Sequence, residues 1–202
     1  MRFLRFRRRD SPRRAFLRTL HDRQPGFRQA VRADAEITAR HRGERHEYRS
    51  RTDLALQVIR LAWVSDAFAA QVLYRLRTAM MARGVPVLPV VAHRLSMGLA
   101  QVSIGDPVLM HPGIYVIHGQ IVLDGIVEIG SGTVIGPWVT IGLRAGNVQG
   151  AVIERDVNIG TGAKVIGPVR IGAGAQIGAN AVIVDDVEAG ATAVGVPARP
   201  VA

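Results

Sequence analysis

At 202 residues the chain can form one large domain or two small ones, and 48% hydrophobic residues with only 5% aromatic ones suit a core of small aliphatics. The absence of cysteine excludes disulfide frameworks, thiolate metal sites and cysteine nucleophiles. The net charge of +10 is local: residues 1–60 hold 17 Arg against 7 acids, while the remaining 142 residues carry 9 positive and 9 negative groups, so no basic folded face for nucleic acid is expected.

The first 25 residues, with Arg7, Arg8 and Arg9 in a row and Pro12 and Pro25 nearby, read as a basic, disordered leader. No apolar run with a small-residue cleavage site follows the basic start, so a cytoplasmic location is expected. Residues 26–101 read as an α-helical region. Apolar residues recur at helical spacing from Ala30 to about His46 and again from Asp53 to Ala82, where Leu54, Val58, Leu61, Val64 and Phe68 make one stripe. Asp53 is placed to cap the second helix, Gly84 and Pro86 to end it, and a third short helix is expected over Leu88–Leu99. The apolar stretch from Leu54 to Met81 carries Arg60, Asp66, Arg75 and Arg77, charges too costly for a bilayer core, so no membrane span is expected.

Glycine marks a change of architecture near residue 102, because 18 of the 22 glycines lie at or after Gly105. Beyond that point the pattern is a fixed repeat. Ile129, Ile135, Ile141, Ile153, Ile159, Val165, Ile171, Ile177 and Ile183 are spaced by six or, once, by twelve, and many are followed directly by glycine. Four residues after each comes a small or β-branched residue, as in Thr133, Val139, Val157, Ala163, Val169, Ala175, Ala181 and Val187. A short strand and a sharp turn per hexad predict a three-sided coil in which each aliphatic stacks on the residue 18 positions earlier. A sandwich of hairpins would need period-two alternation, which is absent. The domain 102–202 is therefore expected to be a parallel β-helix of hexapeptide repeats, making the protein mostly β behind a small α-helical front.

From about Ala30 onward four segments carry a family resemblance: GIYVIHGQIVLDG (113–125), VTIGLRAGNVQG (139–150), VNIGTGAKVIGPVRIGAGAQIGANAVIVDDV (157–187) and the terminal GVPARPV (195–201). On these the chain resembles the serine O-acetyltransferases and related polysaccharide-associated acetyltransferases, a branch of the hexapeptide-repeat acyltransferases. The resemblance implies a left-handed β-helix, a homotrimer or dimer of trimers, and an acetyl-CoA site in each groove between neighbouring chains. It places the catalytic base at His118, where an imidazole can take the proton of an acceptor hydroxyl during attack on the thioester.

The family pairs this histidine with an aspartate fifteen residues upstream, where Ser103 stands here; Asp106, three residues on, is the candidate partner and Asp124 a weaker one. An imidazolium without such a carboxylate lacks an orienting partner, which bears on rate. Ile117 and Gln149-Gly150 stand where the serine enzymes carry an aspartate and an Arg-His pair, so the resemblance to an amino-acid acceptor is weaker than to a transferase in general. Arg144, entering the same loop from its other end, is the candidate acceptor-binding residue, and Leu143–Val152 is expected to be extruded over a neighbouring groove. For coenzyme binding the resemblance points to Gly142, Thr161, Gly162 and Ala179, with Arg199 placed to meet a coenzyme phosphate. Lys164 is expected to be a plain outward charge. Two histidines seven apart, His111 and His118, suggest the zinc of hexapeptide-repeat carbonic anhydrases, but those need three histidines from adjoining chains and no third follows His118; no metal is predicted.

The expected activity is thus acetyl-CoA-dependent O-acetylation of a small hydroxyl-bearing acceptor. The alternatives are N-acetylation of an amino sugar and a β-helix scaffold without catalysis, the latter suggested by Ser103, Ile117 and Gly150 at functional positions. Binding of nucleic acid or another acidic surface by the Arg-rich leader is a third, minor reading.

Overall fold

The computed structural model of the protein describes residues 19–20 and 22–201. The expectation of a disordered leader falls mostly on residues 1–18 and 21, outside the described residues. The last part of that segment packs on the domain: Leu20 is buried, Gln24 Nε2 donates to Val108 O (2.8 Å), and Arg23 pairs with Glu128 (2.7 Å).

The helical region comprises α1 (Phe27–His41), α2 (Arg51–Val64), α3 (Asp66–Ala82) and α4 (Leu88–Ala100). The single helix expected over 53–82 is two. Ser65 leaves helical geometry at φ −139°, its amide donates to Leu61 O (2.9 Å) to close α2, and its hydroxyl accepts from Phe68 N (3.3 Å) to open α3. One serine thus caps both helices, and the apolar stripe runs across the break without recording it. The cap of α2 is Ser50, whose hydroxyl accepts from Asp53 N (3.1 Å), while Asp53 reaches back to Arg49 N (2.9 Å).

After Ala100 the chain winds into a three-sided parallel solenoid of about five coils, with strands numbered along the chain. The first face holds β1 (Val102–Ile104), β4 (Ile121–Leu123), β7 (Thr140–Gly142), β10 (Lys164–Ile166) and β13 (Val182–Ile183). The second holds β2 (Leu109–Met110), β5 (Ile126–Ile129), β8 (Gln149–Ile153) and β11 (Arg170–Ile171). The third holds β3 (Tyr115–Val116), β6 (Val134–Ile135), β9 (Asn158–Ile159), β12 (Gln176–Ile177) and β14 (Thr192–Gly195), and ends in β15 (Ala198–Val201), which folds back antiparallel on β14. The hexad aliphatics are the core: Ile129, Ile135, Ile141, Ile153, Ile159, Val165, Ile171, Ile177 and Ile183 are all buried, and so are Thr133, Val139, Val157, Ala163, Val169, Ala175, Ala181 and Val187. Burying each large aliphatic contributes about 1.5–3 kcal/mol, so the column needs no aromatic ring.

The stacking step is 18 residues where the hexad is regular, as in Ile153 on Ile171 and Ile159 on Ile177. It lengthens in two places. Val116 pairs with Ile135 and Ile104 with Leu123, steps of 19, because seven residues rather than six separate the inward Val116 from the inward Leu123. Ile141 pairs with Val165, a step of 24, because six extra residues, 143–148, project between β7 and β8.

The helices are fastened to the first coils by buried polar contacts. Asp34 on α1 and Arg75 on α3 are 1% and 2% exposed and pair at 2.8 Å. Asp34 Oδ1 also accepts from Gly113 N (2.9 Å) and Ile114 N (3.1 Å), and Arg75 donates to Met110 O (2.5 Å) and His111 O (2.7 Å). Gln71 Nε2 donates to Ile114 O (2.9 Å) and Tyr74 Oη to Val108 O (2.8 Å). Among the described residues no helix is long and apolar enough to cross a membrane.

Candidate active site

The corner by which the chain passes from the third face to the first is one continuous edge of the prism. It is built from Gly119-Gln120, Pro137-Trp138, Thr161-Gly162 and Ala179-Asn180 in successive coils, tied by backbone bonds. Gln120 N donates to Ala100 O (2.8 Å), Trp138 N to Gln120 O (3.0 Å), Gly162 N to Pro137 O (2.8 Å) and Asn180 N to Thr161 O (2.8 Å). The second residue of each corner has positive φ, from 57° at Asn180 to 74° at Gly162.

His118 stands at the head of this edge, in the corner that carries the extra residue. Its neighbour is fixed by the helix, because a Cβ on Gly119 would lie 1.9 Å from Ala100 O; only glycine lets α4 end against this turn. The imidazole is exposed and makes no hydrogen bond to any described residue. It opens on a hollow of about 250 Å³ lined also by Asp66, Gly98, Leu99, Ala100, Gln101, Gly119 and Gln120. Asp66 was not singled out from the sequence. The Ser65 break puts it in the first turn of α3, exposed, with one carboxylate oxygen bonded to Ala67 N (2.8 Å). The Ser-Asp pair at 65–66 was the available signal.

The structure sorts the remaining expected residues by edge. Thr161, Gly162 and Ala179 lie on the His118 edge, two and three coils along. Gly142 and Arg144 lie on the next edge, between the first and second faces, where Gly167 N donates to Gly142 O (3.0 Å) and the Arg144 guanidinium reaches across to Val184 O. Arg199 belongs to β15 on the third face, and its guanidinium reaches to Asp185 at 3.2 Å, on the edge between the first and second faces. Asp106 is not brought to His118. It accepts from Arg77 Nη2 (2.6 Å) and lines a separate hollow with His93 and Ser103, so the expected His118–Asp106 pair does not form within the chain. Asp124 is turned to its own next amide, Gly125 N (2.9 Å). Lys164 faces outward but is engaged, its Nζ donating to Trp138 O (2.7 Å) and Thr140 Oγ1 (3.0 Å). His111, on a different edge, bonds Glu128 Oε1 (2.9 Å), and among the described residues no three His, Asp or Glu side chains gather as a metal site.

Comparison with known proteins agrees with the fold. Residues 150–185 match the family model for the bacterial transferase hexapeptide (six repeats). Serine acetyltransferase of Synechococcus elongatus (strain ATCC 33912 / PCC 7942 / FACHB-805) is 32% identical over 136 residues, 65% of this chain and 55% of that protein, so the chain spans little more than half the length of this relative. Among solved structures, serine acetyltransferase of Neisseria gonorrhoeae superposes with a TM-score of 0.73 in its complex with serine and 0.72 in a second structure; the latter is 26% identical and covers 95% of this chain and 73% of that one. A serine acetyltransferase in complex with CoA is 26% identical at a TM-score of 0.72, covering 93% of this chain and 75% of that one. The chain is similar to the hexapeptide-repeat transferases, and its fold is the left-handed parallel β-helix. The likeness to serine acetyltransferases extends over the helices as well as the solenoid.

Proposed function

We propose that the protein is an acetyl-CoA-dependent O-acetyltransferase acting on a small hydroxyl-bearing acceptor, with His118 as the general base. The observation that carries this reading is an imidazole without a hydrogen-bond partner among the described residues, held in a widened corner of the solenoid, at the head of the edge that also bears Thr161, Gly162 and Ala179. The acceptor would sit in the hollow on the helix side of His118, and the coenzyme arm would run along the small-residue corners on its other side. His118 takes the hydroxyl proton as the acceptor oxygen attacks the thioester carbonyl; the carbon–sulfur bond breaks and the imidazolium returns the proton to the departing sulfur. A general base of this kind contributes about 10²–10⁴-fold.

Asp66 supplies what the sequence left missing, a carboxylate facing the same hollow as His118. It suits an acceptor that carries an ammonium group beside its hydroxyl, and supports L-serine or a close analogue over a neutral sugar. A homotrimer fits the distribution of the other residues: the His118 edge and the Gly142 edge flank the first face, so packing of first faces around an axis would bring Gly142 and Arg144 of one chain toward the His118 edge of the next. The 143–148 loop would then overhang that groove. A cytoplasmic location goes with this reading.

A thiol-release assay with acetyl-CoA and a panel of serine-like, sugar and amino-sugar acceptors tests it. Release of CoA with a hydroxyl acceptor, falling at least about tenfold in His118→Ala, is the expected result. No release with any acceptor and no coenzyme binding would leave the scaffold reading in its place, and release confined to amino-sugar acceptors would mean N-acetylation.

A further inference from the structure

Trp138 occupies the His118 edge in a way the fold itself does not require. The corresponding corner residues in other coils are Gln120, Gly162 and Asn180, and Gly and Asn are the residues that tolerate left-handed backbone. A bulky indole at φ 64° is an outlier there, and the residue is 56% exposed, its ring with no aromatic or cationic partner among the described residues. The backbone beneath it is nevertheless fastened on every side. Its amide donates to Gln120 O (3.0 Å), its carbonyl accepts from Lys164 Nζ (2.7 Å), and the carbonyl of Pro137 before it accepts from Gly162 N (2.8 Å). Lys164, the one lysine in the chain, thus serves to pin this corner. A strained, firmly held backbone presenting an unpaired ring is the pattern of a preorganised binding wall.

The occupant follows from position. The acceptor hollow lies on the helix side of His118, toward Ala100 and Gln101, whereas Trp138 lies one coil away on the opposite side, between the base and the Thr161-Gly162 corner. Adjacent coils are separated by about 4.8 Å. We propose that Trp138 is a coenzyme-side wall whose indole face lies on the thioester-proximal amide arm of acetyl-CoA, holding the acetyl group against His118. This rests on the transferase reading above and adds a binding residue to it. Flat amide and indole faces stack well, and a ring with two side-chain torsions loses little freedom on binding.

The chain has two tryptophans, and Trp63, 90% exposed on α2, can be replaced by phenylalanine to leave Trp138 as the sole reporter. In Trp63→Phe, CoA and pantetheine should change the indole emission, whereas adenosine 3′,5′-bisphosphate, which lacks the arm, should not. In Trp138→Ala the KM for acetyl-CoA should rise about tenfold or more with the acceptor KM unchanged, and Trp138→Phe should restore most of it. Trp138→Asn, better suited to the backbone, should keep or raise thermal stability while losing the same coenzyme affinity, a split that a structural role would not produce. Calorimetry run alongside separates the failures. Heat of CoA binding with no change in Trp138 emission overturns this proposal alone; absence of heat with any coenzyme overturns the transferase reading and this proposal with it. Loss of the native oligomer in Trp138→Ala would also overturn it, by making the ring a subunit contact.

Discussion

At the scale of the residue, the decisive polar contact is Asp34 with Arg75, because it joins α1 and α3 to the first solenoid coil and is sealed from water. Removing one partner strands a buried charge. Asp34→Ala should therefore destabilise the chain by about 3–5 kcal/mol, read from the shift of the denaturant midpoint at unchanged slope. Gly119 is the residue on which the candidate base depends for its place. Gly119→Ala puts a methyl on Ala100 O and should cost about 1–3 kcal/mol while lowering turnover more than the loss of stability alone explains.

His93, beside Arg77 whose other amino group holds Asp106, is kept below its ordinary value of 6.5, first because burial disfavours the charged ring and then because Arg77 and Arg94 repel it, with Asp106 opposing. The folded state therefore prefers the neutral ring. Its contribution is complete above pH 6.5 and is lost as the pH falls through the lower folded value. The melting temperature should drop more steeply from pH 6.5 toward about pH 5 in the native chain than in His93→Gln.

At the scale of the element, the hexad was legible because it is a steric requirement repeated in nearly every coil: an aliphatic that must stack and a small residue that must let the next corner approach. Ile159 is fully buried in the middle of the column, and Ile159→Ala should cost about 2–5 kcal/mol in a chemical denaturation experiment. The Ser65 break was not legible from the stripe, since Leu61, Val64 and Phe68 keep helical spacing across it; only the capping chemistry of Ser65 with Asp66 marks it. The same limit explains the site. Ser103 and Ile117 looked like losses in a linear reading, while the carboxylate that shares the hollow with His118 comes from a helix start more than fifty residues upstream. Asp106 looked near enough in sequence, yet Arg77 on α3 holds it in another hollow. The two places where the hexad lengthens, at Val116–Leu123 and after Ile141, are where His118 and Arg144 lie, so departures from period locate the proposed chemistry better than the period does.

At the scale of the whole molecule, a largely regular prism supplies stability, and the two corners where it lengthens are where the proposed chemistry lies, divided between them. The first faces of three chains should therefore meet, giving a sedimenting species of three 21.8 kDa chains or a multiple of it. The most direct test of the central claim is a crystal structure grown with CoA. The sulfur should lie within hydrogen-bonding reach of His118 at a seam between two chains, with the arm passing Trp138 toward Thr161-Gly162 and Ala179. A coenzyme bound on another edge, or a His118 ring turned away from every seam between chains, would contradict it.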